Sequence, residues 1–160
     1  MNKKLLKLLE KNARYTIADL SAMLGADEDQ IRSEIEQLQK DGVIRGFKTV
    51  VDWERLDTAY VSALIELKVT PQLDTGFEAI AKKIMKYDEV ETVYLMSGGY
   101  DLCVIVKGKT FQEVAMFVGK VLAPMKNVIS TATHFVLRRY KELDVILCGD
   151  DKDDRGAFWL

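Results

Sequence analysis

The sequence is poor in the residues that build metal centres, disulfide frameworks and membrane spans. Of its 160 residues one is histidine (His134) and two are cysteine (Cys103 and Cys148), with no Cys-x-x-Cys pairing. A structural zinc site needs four clustered sulfur or nitrogen ligands, so no metal is expected, and nothing calls for a cofactor. Two distant cysteines read as free thiols in a reducing cytosol, which points to a cytoplasmic protein. No run approaches the ~20 apolar residues of a membrane span. Lys7, Glu10 and Lys11 break the apolar start of the chain, so it is not expected to be a signal peptide. Excess positive charge is also missing. There are 23 basic and 25 acidic residues, a net charge of −2. Any contact with nucleic acid must therefore be local, or multiplied by assembly. What is present is apolar mass: 48% of the residues are hydrophobic. That is enough for a core and argues against disorder.

Helical spacing dominates the first third. Leu5, Leu8 and Leu9 recur on one face of residues 2–12, with lysines elsewhere. Thr16 and Asp19 form a capping box, opening a second short helix with Ile17, Leu20, Met23 and Leu24 inward and Gly25 at its end. Asp27 caps a third helix with Ile31, Ile35 and Leu38 on one stripe, Lys40 in its last turn and Gly42 just beyond. Residues 43–51 then switch to a period of two, which reads as a short hairpin. Three short helices followed by a hairpin is the plan of a winged helix-turn-helix.

Residues 1–52 are thus expected to form a DNA-binding domain, with residues 53–59 as a polar linker. Residues 60–142 read as a second domain. Residues 60–69 alternate, with Val61, Ala63, Ile65, Leu67 and Val69 on one face of a strand that Pro71 stops. Residues 74–87 read as a helix with Phe77, Ile80, Ala81 and Ile84 inward. Two β-rich runs over residues 90–106 are joined by Ser97-Gly98-Gly99, read as a tight hairpin turn. The second run is apolar on both faces, as in a central strand covered on both sides. Thr110 caps a helix with Phe111, Val114, Ala115, Val118, Val121 and Leu122 inward, and residues 127–140 form a last strand. The order βαββαβ defines a ferredoxin-like domain, an antiparallel sheet with helices on one face. The fold class is α+β. The face without helices leaves apolar surface, which a second copy would bury. Residues 143–160, with the acidic run at residues 150–154, read as a solvated tail.

The stretch Leu38-Gln39-Lys40-Asp41-Gly42-Val43-Ile44-Arg45-Gly46-Phe47, with Val93-Tyr94-Leu95-Met96-Ser97-Gly98-Gly99-Tyr100-Asp101-Leu102 and Ile129-Ser130-Thr131-Ala132-Thr133, resembles the Lrp/AsnC family of feast-or-famine transcriptional regulators. The resemblance spans residues 2–142. It implies a cytoplasmic protein that binds double-stranded DNA, pairs as a homodimer and assembles into an octamer or similar ring. It also implies an amino acid or related effector bound between dimers beside the Gly-x-Tyr-Asp turn. The ligand-binding candidates are then Gly98, Gly99, Tyr100 and Asp101, with Thr131 and Thr133 from the last strand. The residues agree in part: glycine amides suit a carboxylate, Asp101 suits an ammonium, and Tyr94 and Met96 offer apolar area. The plainer reading, that the glycines make the turn and Asp101 caps it, stays open.

The DNA-binding candidates are Arg32, Ser33 and Gln37 on the third helix, with Arg45 and Lys48 on the wing for phosphates. One departure stands out. The family often has arginine where this chain has Glu34. Residues 26–41 hold six acids and two bases, and residues 1–50 nine bases and eight acids. Phosphate attraction is the largest sequence-independent contribution to DNA binding, so this helix is expected to bind weakly alone. Two alternatives follow: an amino-acid-sensing oligomer that has lost DNA binding, and a relative of the haem-pathway decarboxylases. Against the enzyme, there is one histidine and no dense Arg/His/Tyr constellation, so no catalytic residue is assigned.

Overall fold

The computed structural model describes residues 2–56, 60–71 and 76–147. The expectations for linker residues 57–59, the helix start at residues 74–75, Cys148 and the tail beyond it fall outside the described residues. The chain separates into two compact units, Met1–Val50 and Val51–Leu160.

The first unit holds three helices, α1 (Lys3–Lys11), α2 (Ile17–Leu24) and α3 (Glu28–Lys40). Its core is Leu5, Leu9, Leu20, Ile31 and Leu38, with Ile17, Leu24, Ile35 and Ile44 packed around them. Each helix starts on a side-chain cap. Asn2 accepts from the amides of Lys4 and Leu5, and Asp27 from that of Asp29. The Thr16–Asp19 box closes in both directions, at 3.1 and 2.9 Å. These bonds satisfy amides that have no partner within the helix. Gly25 and Gly42 end α2 and α3 at φ +63° and +69°, where a side chain would be strained. Met23 was expected inward but is 52% exposed. It follows Leu20 by three positions, and the small core is already filled by its neighbours.

The expected hairpin over residues 43–51 does not form; those residues make no strand ladder. The amides of Val43 and Ile44 both donate to the Leu38 carbonyl, at 2.9 and 3.0 Å. They serve the end of α3 and are not available for strand pairing. Phe47, on the strand pattern, is half exposed with no sheet to cover it.

In the second unit a short 3₁₀ turn (Trp53–Arg55) precedes β1 (Val61–Val69), α4 (Glu78–Ile84), β2 (Val90–Leu95), β3 (Leu102–Gly108), α5 (Phe111–Phe117) and β4 (Val128–Phe135). The sheet is antiparallel in the order β2-β3-β1-β4, as βαββαβ connectivity requires. One face of β1 and β3 meets the helices. Ala63, Ile65, Leu67, Val69, Leu102, Val104 and Val106 pack on Ile80, Ile84, Val114, Phe117, Val118 and Leu122. The last helix turn widens into a π segment (Val118–Leu122), closed by the Ala123 amide on the Val118 carbonyl at 2.8 Å. Phe111 and Ala115, expected inward, are exposed; Val114, Phe117, Val118 and Leu122 take the inner face, and Phe111 sits edge-on to Phe135 at 4.9 Å.

The last strand ends at Phe135, short of the expected residue 140. A two-stranded hairpin follows, β5 (Lys141–Glu142) with β6 (Val145–Ile146), joining the last two residues of the expected domain to the start of the expected tail. Its turn residues Leu143 and Asp144 have φ +44° and +65°. Such turns favour Asn-Gly or Asp-Gly, so Leu-Asp gives little signal in the sequence.

Candidate DNA and effector sites

In the first unit Arg32, Ser33, Gln37, Arg45 and Lys48 are all exposed. Ser33 and Gln37 line one shallow groove along α3 with Asp29, Gln30 and Glu34. Arg32 lies one position from Ser33, about 100° round the helix. Gln37 is already engaged, its Nε2 donating to Asp41 Oδ1 at 2.7 Å. Arg45 lies over the end of α3, close enough that a Cβ on Gly42 would stand 3.0 Å from its Cζ. Its guanidinium thus sits at the negative end of the helix dipole.

Glu34 has a structural partner that the sequence did not reveal. Its Oε1 accepts from the backbone amide of Asn2 at 2.7 Å. The carboxylate ties α3 to the start of α1, where the helix dipole is positive. Positive charge gathers instead on α1. Lys4, Lys7 and Lys11 surround a groove floored by Leu8, Met23 and Leu24.

In the second unit the segment between β2 and β3 is a six-residue connection, not a tight turn. It is closed by the Met96 amide on the Asp101 carbonyl at 2.8 Å. Gly98 has φ +155°. Gly98 and Gly99 are exposed, and a Cβ on either would meet no atom within 4 Å. Asp101 latches the turn to the end of β1. Its amide donates to the Leu67 carbonyl at 3.0 Å, and its Oδ2 accepts from the Val69 amide at 2.8 Å.

Tyr100 is half-buried and hydrogen-bonds Cys103, a buried free thiol. Burial raises the pKa of the Tyr100 phenol, with Cys103 and Glu66 adding to it. The Cys103 thiol is raised too, by burial and then by Glu66, against the Tyr100 bond. Glu66 continues the cluster, with Oε1 3.3 Å from His134 Nε2.

The threonines lie on the last strand of the sheet, as expected, but not beside the turn. Thr131 and Thr133 pair with Leu67 and Ile65, so β1 separates them from the Gly98–Asp101 turn's own strands. They share the face of Leu67 and Ile65, towards the helices. Tyr94 pairs with Cys103, which pairs with Glu66, and so lies on the opposite face. Side chains on opposite faces of one sheet do not surround one small ligand. Within one chain, the expected binding residues are not gathered into one pocket.

A helix-turn-helix unit joined to a ferredoxin-like sheet defines a two-part regulator, one part for DNA and one for a ligand. The comparisons agree. The winged helix-turn-helix DNA-binding family matches residues 2–45, and the Lrp/AsnC ligand binding domain matches residues 62–146. The chain is 37% identical to the uncharacterised HTH-type transcriptional regulator YugG of Bacillus subtilis, over 94% of this chain and 92% of that one. It is 33% identical to the regulator LysM of Sulfurisphaera tokodaii, over 84% and 91%. The structure of a Neisseria meningitidis regulator, NMB0573, solved as an L-Met complex, matches at 22% identity with a TM-score of 0.70, over 87% of this chain and 89% of that one. The chain belongs to the Lrp/AsnC family. It is a DNA-binding transcriptional regulator with a small-molecule ligand domain. Among the described residues no helix is long and apolar enough to cross a membrane.

Proposed function

We propose that the protein is a cytoplasmic regulator that binds DNA as a ring of dimers, an octamer or similar, and is tuned by an α-amino acid. In this reading residues 1–52 bind DNA and residues 60–142 bind ligand and assemble. Arg32 and Ser33 read base edges. Gln37, Arg45 and Lys48 contact phosphates, and the α1 lysines add attraction that α3 lacks. Avidity completes the binding, since linked copies raise it by ~10²–10⁴.

The effector reading rests on one observation above all, the bare Gly98-Gly99 backbone held at the sheet end by Asp101. Exposed amides there suit a carboxylate. Thr131 and Thr133 lie on the other face from Tyr94, which favours a site completed by a second copy over one built within a chain. Gly98, Gly99 and Tyr100 then come from one subunit's turn, with Asp101 first holding it in shape. The L-Met complex of the neighbour supports an amino acid with an apolar side chain. The relatives described above are named regulators, which favours the non-enzymatic reading. Calorimetry against the twenty amino acids tests this. An apolar amino acid is expected to bind and to change ring stability or DNA affinity; silence from all twenty would contradict the proposal.

A further inference from the structure

A cavity of about 400 Å³ lies on the helix side of the ligand domain, lined by none of the Gly98–Asp101 turn residues. Ile80, Tyr87 and Met125 are its apolar lining, and Lys83, Lys86 and Lys126 surround it. The frame is fixed from several directions. Ile80 is 8% exposed in the core. The Tyr87 ring stands edge-on to Phe117 at 5.5 Å. The turn carrying Met125 and Lys126 is pinned to the end of β1 by Asn127. Its carbonyl accepts from the Thr70 amide at 2.8 Å, and its Nδ2 donates to the Thr70 carbonyl at 3.2 Å.

Three lysines of this acidic chain are paired with carboxylates, Lys82 with Glu78, Lys107 with Glu91 and Lys141 with Asp144. Among the described residues no ion pair reaches Lys83, Lys86 or Lys126. The C-terminal end of α4 accounts for Lys83 and Lys86, since cations are favourable there. It does not account for Lys126, which arrives from a different element. Like charges around one cavity repel, and an anion entering it relieves that repulsion. The volume is in the range of small-molecule sites, with an apolar lining and three exposed lysines at its edge.

We infer that this cavity binds a small organic dianion, its phosphate or paired carboxylates among the three ammonium groups and its apolar body on Ile80, Tyr87 and Met125. This site is separate from the amino-acid site proposed above, and the regulator would then read two chemically different ligands.

The test is calorimetry on the full chain with three probes: inorganic phosphate, phenyl phosphate and phthalate. Phenyl phosphate or phthalate is expected to bind at least tenfold more tightly than inorganic phosphate. The phosphate and dicarboxylate arms tell which dianion is preferred. Added salt should weaken the binding, and Lys83→Gln/Lys126→Gln should weaken it at least tenfold with the circular dichroism unchanged. Lys82→Gln, whose lysine is paired with Glu78, should change it less than twofold. The proposal is overturned if no probe binds at millimolar concentration, or if the double variant binds like wild type. It is also overturned if the double variant loses affinity for DNA and not for the probes, which would make the lysines phosphate-backbone contacts.

Discussion

Replacing Asp101 by alanine separates a latch from a ligand contact. The carboxylate accepts from the Val69 amide at 2.8 Å, and Val69 is 3% exposed. Hydrogen bonds to charged groups contribute ~1.5–3 kcal/mol, and an orphaned buried donor costs ~1–3 kcal/mol. Asp101 itself is only half-buried, which lets water replace part of the bond, so a loss of about 2 kcal/mol is expected. For a domain of this size each kcal/mol shifts the melting temperature by ~4–8 °C, so Asp101→Ala should melt about 10 °C lower. Asp101→Asn keeps an acceptor oxygen and should lose less than half as much. Thermal and urea unfolding of both variants at one fixed protein concentration, with amino-acid calorimetry on the same samples, gives the comparison. An Asp101→Ala variant as stable as wild type but blind to the amino acid would refute the latch and make the carboxylate a ligand contact.

Glu34→Gln keeps an acceptor for Asn2 but loses its charge, and should cost about 1 kcal/mol of stability. It removes one acid beside the DNA face, so fluorescence anisotropy should show severalfold tighter DNA binding at low salt, converging with wild type as salt rises. Leu67→Ala empties a position with no exposed surface, against Leu102 and Thr131; urea unfolding should show a loss of ~2–5 kcal/mol. The Asp19 carboxyl is held below its ordinary 3.8 by the Thr16 side-chain bond and then the Thr16 backbone bond. A lowered carboxyl stabilises the fold above the ordinary value, and that contribution is lost as pH falls through the lowered one. Thr16→Ala should therefore be less stable than wild type at neutral pH, with the gap narrowing in acid below 3.8 to what the Asp19 amide bond to the Thr16 hydroxyl contributes, as followed by urea unfolding across pH.

Elements whose signals are local were legible in the sequence. The Thr16–Asp19 box, the Asp27 cap and the glycine at the end of α3 each fix neighbouring amides through residues only a few positions apart. The alternation of β1 also carried through, because its inner face is buried by sheet and helices alike. What the sequence concealed depends on competition or on distance. The wing pattern at residues 43–51 lost its first amides to the Leu38 carbonyl. The β5–β6 turn uses Leu143 and Asp144 at positive φ, where composition gives little sign. Asn127, at φ +82°, holds Thr70 across 57 residues, and Glu34 reaches Asn2 across 32. For the candidate effector site, the turn residues were visible as a motif. The register was not, and register puts Thr131 and Thr133 across β1 and on the other face from Tyr94.

The proposed function requires DNA binding by an assembly whose α3 is locally acidic. Pulling down fragmented genomic DNA with the purified full chain, at low and at physiological salt, tests that most directly. Reproducible enrichment of a few long fragments is expected to persist at physiological salt, with poor retention of single short half-sites cut from them. Retention of no DNA at either salt, or equal and tight retention of half-sites and long fragments, would contradict it.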